Sequence, residues 1–165
     1  MKNELKAIRR LCDYRSNVSS HYFIKNNGEI LNLVPDLYVA WHAGKSSWKR
    51  YKLLNKFSIG VEISNPGHEH GYKNFNSSQI SSLIKLLKYL QKKYNVKSQN
   101  ILGHSDIAPN RKKDPGEKFP WKKLAIKNLC QWHNLSNVKI KKQRNLKVSP
   151  SEKKKFFINF KKIGY

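Results

Sequence analysis

From Phe57 to Ser64 the chain alternates between two kinds of residue, with Ile59, Val61 and Ile63 on one side and Ser58, Gly60, Glu62 and Ser64 on the other. A period of two marks a strand with one buried face, so Glu62 is predicted on the polar face of a sheet. Upstream, YFIKNNGEILNLV carries two apolar-rich runs around Asn27-Gly28, the pairing that signals a tight hairpin. LYVAWHAG reads as a third extended run ending at Gly44, and KSSWKRYKLLNK as a loop. The period changes to 3.6 at Ile80, Leu83, Ile84, Leu87, Leu90 and Tyr94, which predicts a helix opened by a cap among Asn76, Ser77 and Ser78. Leu5, Ile8 and Leu11 predict a shorter helix over residues 3–11. NILGH reads as a strand that delivers His104 at its end. Pro120 can open a last helix, with Trp121, Leu124, Ala125, Leu129 and Trp132 on one face. Strands followed by alternating helix and strand describe an α/β layer structure.

Composition adds limits to this picture. The 165 residues suit one domain with an appendage, and 38% hydrophobic content allows a modest core. A net charge of +24 favours anionic partners but is spread along the chain without a nucleic-acid motif, so no specific nucleic-acid partner is expected. Cys12 and Cys130, the two cysteines, form neither a CxxC pair nor a disulfide framework. No stretch is long enough to cross a bilayer, and the first residues lack the apolar core of an export signal. Residues 139–165 hold ten Lys or Arg and one acid. The chain divides into a domain at 1–133, a basic linker at 134–150, and an opening helix at 151–165.

The stretch HSDIAPNRKKDPGEKFPW holds His104 and Asp114 ten positions apart, among Pro109, Pro115 and Gly116. Imidazole and carboxylate suit a divalent zinc ion, which takes three protein ligands and a water in a catalytic site. Lys112 would sit beside such a metal and steady a developing oxyanion. Spacing by itself favours a solvated basic loop over a metal site.

HSDIAPNRKKDPG followed by FPW resembles the closing motif of the type 2 zinc-dependent N-acetylmuramoyl-L-alanine amidases. That family includes the AmpD and AmiD enzymes and is related to phage lysozymes of the amidase type and to peptidoglycan-recognition proteins. VSSHYFI, LVPDLYVAWHAGKSSW and LNKFSIGVEISNPG follow the family in order, and SSHY with WHAG-x-S-x-W is closest to AmiD. The resemblance implies a central mixed β-sheet flanked by helices and a Zn2+ cofactor. It makes His104 and Asp114 zinc ligands, Glu62 the general base and Lys112 the positive group near the scissile amide. His42, Trp41 and His21 would line the substrate groove. His68, His70 and His133 match nothing in the family and are read as surface histidines.

The implied substrate is peptidoglycan or its muropeptides, and the implied compartment the cell envelope, with a monomeric enzyme. The family's first zinc ligand is a histidine ending an early strand, and no histidine here stands in that context. The expectation is therefore a sheet without its first strand and a chain shortened at both ends. SEKKKFFINFKKIGY resembles the first helix of a peptidoglycan-binding domain. An inactive remnant that at most binds peptidoglycan peptides is the alternative function.

Overall fold

The computed structural model describes residues 3–163; the ends of the expected first and last segments, residues 1–2 and 164–165, lie outside the described residues. Strands β1 (Tyr22–Ile24) and β2 (Ile30–Asn32) form the antiparallel hairpin predicted at Asn27-Gly28. Gly28 takes φ +90°, and a Cβ there would stand 2.9 Å from the backbone of Ser78, so both the turn and its packing require glycine. The short pairs β3 (Ser47–Trp48) and β4 (Tyr51–Lys52) make a second hairpin. Strand β5 (Val61–Ile63) lies parallel to β1, giving a mixed sheet of order β2-β1-β5. All three residues of β1 are buried, as befits the central strand.

Helix α1 spans Glu4–Cys12, and α2, Ser77–Tyr94, supplies most of the core. Ile80, Leu83, Leu86, Leu87 and Leu90 of α2 pack with Tyr22, Ile24, Phe119, Leu124 and Leu129, and Val61 and Ile63 lean on the same cluster. The predicted alternation is realised over a shorter strand than the expected residues 57–64: in Val61–Ile63 one face meets the core, while Glu62, in register with Phe23, turns to the other. Gln79 fixes the start of α2. Its Oε1 accepts from the Asn76 N–H at 3.0 Å, and its Nε2 donates to the Ser64 carbonyl at 2.8 Å, which ties the helix to the end of β5.

Four expectations need correction. LYVAWHAG is an irregular loop, because side chains rather than a neighbouring strand take its N–H groups: Trp41 N–H donates to Ser19 Oγ at 2.8 Å, and Ala43 N–H to Asn55 Oδ1 at 2.7 Å. KSSWKRYKLLNK is not a loop throughout, since it holds the β3-β4 hairpin. NILGH is not a strand. The Asp106 carboxylate accepts from the Gly103 N–H at 2.7 Å and starts a short helix, α3 (His104–Ile107). The helix after Pro120, α4, ends at Ala125; Leu129 still reaches the core, but Trp132 is 44% exposed. Beyond it, α5 (Asn137–Arg144) forms within the segment read as a linker, and α6 covers Pro150–Ile163. No helix among the described residues is long and apolar enough to cross a membrane.

Candidate active site

Glu62 stands half-buried on the face of the sheet away from α2. Burial pushes its carboxyl above the ordinary value, Asp114 adds to the rise, and His104 and Lys112 oppose it. His104 opens α3, and residues 105–114 turn back so that Asp114 Oδ2 contacts His104 Nδ1. The return is closed by the Ser105 N–H donating to the Asp114 carbonyl at 2.9 Å. The contact with Asp114 raises the His104 pKa. For Asp114 itself burial works upward, but the same contact and the Lys112 charge hold its carboxyl below the ordinary value. His104 Nε2 lies 2.9 Å from the His42 carbonyl. Lys112 Nζ stands 4.0 Å from Asp114 Oδ1.

A cavity of about 280 Å³ gathers Glu62, His104 and Lys112 with Trp41, His42 and Arg10 of α1. Trp41, 50% exposed, offers an aromatic wall. His42 is kept neutral by burial, which drops its pKa to about 4. His21 is placed elsewhere. At 1% exposure it has no open face for a substrate, and both ring nitrogens are occupied. Nδ1 accepts from the Gly60 N–H at 3.0 Å, and Nε2–H donates to the Tyr38 carbonyl at 2.9 Å.

Several contributors were not singled out from the sequence. Arg111 donates to the carbonyls of Ala43 and Lys45 at 2.8 and 3.0 Å and so clamps the WHAG loop to the His104–Asp114 return. Tyr72 donates to the Pro115 carbonyl and accepts from the Lys118 N–H, which fixes the far side of that return. His68 pairs with Glu117 at 2.9 Å, its ring tilted against Tyr72 with centroids 4.3 Å apart. Each is one polar residue in a polar loop, with no periodicity to flag it.

The donor chemistry bears on a metal. An imidazole nitrogen and a carboxylate oxygen already in contact fit two positions of a zinc ion. Among the described residues no group of three His, Cys, Asp or Glu side chains comes together to complete such a set.

Comparison with known proteins places these features in one class, the peptidoglycan amidases. The family model described as N-acetylmuramoyl-L-alanine amidase matches residues 1–117, and the chain belongs to that family. It is 40% identical over 133 residues to the N-acetylmuramoyl-L-alanine amidase AmiD of Escherichia coli K12, covering 73% of this chain and 48% of that protein. To the 1,6-anhydro-N-acetylmuramyl-L-alanine amidase AmpD of Haemophilus influenzae it is 36% identical over 111 residues, covering 67% of this chain and 58% of that one. The fold matches the E. coli AmiD structure, solved with anhydro-N-acetylmuramic acid-L-Ala-D-gamma-Glu-L-Lys, at a TM-score of 0.83 and 33% identity, over 99% of this chain and 68% of that one. The chain spans about half the length of these curated relatives.

Proposed function

We propose that this chain is an N-acetylmuramoyl-L-alanine amidase that hydrolyses the amide between the lactyl group of N-acetylmuramic acid and L-alanine in peptidoglycan or its muropeptides. The observation that carries the reading is the convergence of Glu62, His104 and Lys112 on one cavity, with Asp114 on His104. His104 and Asp114 would hold Zn2+. When bound, zinc supplies a water of lowered pKa and polarises a carbonyl. Glu62 takes the proton from the attacking water, and its buried seat suits a carboxylate that must later return the proton to the leaving amine. The Lys112 ammonium steadies the oxyanion as the carbonyl becomes tetrahedral. Trp41 and the His42 loop form the wall against which the substrate lies. His21 supports that wall from beneath.

The reading extends to the whole chain. Residues 1–133 form the catalytic domain, 134–150 connect it to the last segment, and 151–165 open a peptidoglycan-binding-like domain. The protein acts as a monomer in the cell envelope. The direct test is release of L-Ala peptides from muropeptides by zinc-supplemented protein, against a Glu62→Gln control.

A second reading, a non-catalytic binder of peptidoglycan peptides, is favoured by the two-donor set among the described residues. Metal analysis separates the two, since one tightly held zinc per chain contradicts the binder.

A further inference from the structure

The imidazole of His104 has two nitrogens and presents one of them to a metal. Nε2 lies 2.9 Å from the main-chain carbonyl of His42, and Nδ1 faces Asp114. A carbonyl only accepts, so Nε2 carries a proton and donates it. Nδ1, beside the carboxylate, is then the nitrogen left to coordinate. Outer partners of this kind fix the tautomer and orientation of a ligating histidine.

The carbonyl is fixed from two sides: the Ala43 N–H of the same peptide donates to Asn55 Oδ1 at 2.7 Å, and behind it stands the ring of His42. The ring lies so close to Gly60 that a Cβ there would stand 2.3 Å from His42 Cγ. Gly60 is itself immobilised. Its N–H donates to His21 Nδ1 at 3.0 Å, and its carbonyl accepts from the Tyr22 N–H at 3.1 Å. His21 reaches across to the Tyr38 carbonyl, so the loop leading to His42 is pinned from below. The His42 ring also meets the His21 ring edge-on, centroids 5.6 Å apart, and its Nε2 lies 3.3 Å from the Ser58 carbonyl. Gly60, the residue just before β5, thus helps set the position of a metal-ligand candidate on a different segment.

We infer that His42 is a positioning residue: its main-chain carbonyl holds His104 with Nδ1 toward the metal, and its ring, seated on Gly60, sets where that carbonyl lies together with the Asn55 anchor on the same peptide. The inference rests on the zinc reading above, yet the hydrogen bond at its centre exists without zinc. The imidazole nitrogens of His42 are not required, only a flat ring of that size in that seat.

Nitrogen-15 NMR of the metal-free protein, with zinc titration followed by calorimetry, tests this. The Nε2 proton of His104 gives a low-field, slowly exchanging resonance in the wild type. Gly60→Ala displaces the ring, abolishes that resonance and weakens zinc binding by roughly 10- to 100-fold, the usual cost of losing an outer partner. His42→Phe keeps the seat and the carbonyl, and so keeps the resonance and leaves zinc affinity nearly unchanged. If Gly60→Ala does not fold, as judged by circular dichroism, the wild-type resonance and His42→Phe still decide the matter. The inference is overturned if the wild type lacks the protected proton, or if His42→Phe loses it. A resonance that is present in the wild type and lost in Gly60→Ala, without any zinc binding, supports the positioning role and overturns the zinc reading instead.

Discussion

Three histidines at one site meet three different fates, and the surroundings of each ring decide which. His21 is walled in and used twice as a structural bridge. His42 is neutral because burial taxes its cationic form. His104 is pulled the other way by Asp114. These shifts have consequences of opposite sign for the metal-free protein. His42 titrates near 6.5 when unfolded and near 4 when folded, so below pH 6.5 the unfolded chain binds the extra proton and stability falls as pH drops toward 4. His104 has a raised folded pKa, so its contribution is fully present below about 6.5 and is lost as pH rises through the folded value. A comparison of two proteins isolates the first effect. Urea unfolding at pH 6.5 and at pH 4 should show His42→Phe sparing about 3 kcal/mol of the wild type's acid loss, at about 1.4 kcal/mol per pKa unit. An equal acid loss in both proteins would contradict the burial of His42. Glu62 has the same sign as His104, and both residues are present in the two proteins, so their contributions cancel from the difference.

At the scale of elements, periodic signals were legible and side-chain-directed ones were not. The stripe recurs through every turn of α2, which forms as the pattern predicts, whereas the alternation of residues 57–64 becomes a strand only at β5, Val61–Ile63. Leu83→Ala, buried in the centre of that stripe, should cost about 2–5 kcal/mol, read as a shift in the urea midpoint without a change in slope. Gln79→Ala should cost about 1–3 kcal/mol by leaving the Ser64 carbonyl short of its donor, measured in the same way. LYVAWHAG and NILGH have the composition of strands, but single hydrogen bonds from their backbone N–H groups to Ser19, Asn55 and Asp106 override it. Those partners lie 12 to 22 residues away, or three in the case of Asp106, at spacings that no period encodes. The convergence of His104 and Asp114 was legible through the family motif rather than through spacing, which by itself fits a solvated basic loop. The clamps by Arg111 and Tyr72 were not legible, since a basic residue or an aromatic in a loop carries no address for its partner.

The whole molecule is a small mixed sheet with its chemistry on one face and its core on the other. The C-terminal helices stand apart from that core: α5 buries no residue, and Phe156, Phe157 and Ile158 of α6 are exposed. Removing residues 134–165 should therefore leave the urea midpoint of the rest almost where it was, within the roughly 0.5 kcal/mol typical of changes away from the core. A large loss would place those helices in the folding unit. The diffuse charge of +24 remains available for anionic polymers, with no bearing on the sheet.

The central claim is amide hydrolysis at the Glu62–His104–Asp114–Lys112 site. The most direct measurement is the appearance of free L-Ala-containing peptides from purified muropeptides, followed by mass spectrometry with zinc bound to the protein. The account predicts turnover by the wild type and a loss of about 10²- to 10⁴-fold in Glu62→Gln, the usual contribution of a general base. Stoichiometric zinc without release of peptide, or release that Glu62→Gln leaves unchanged, would contradict it.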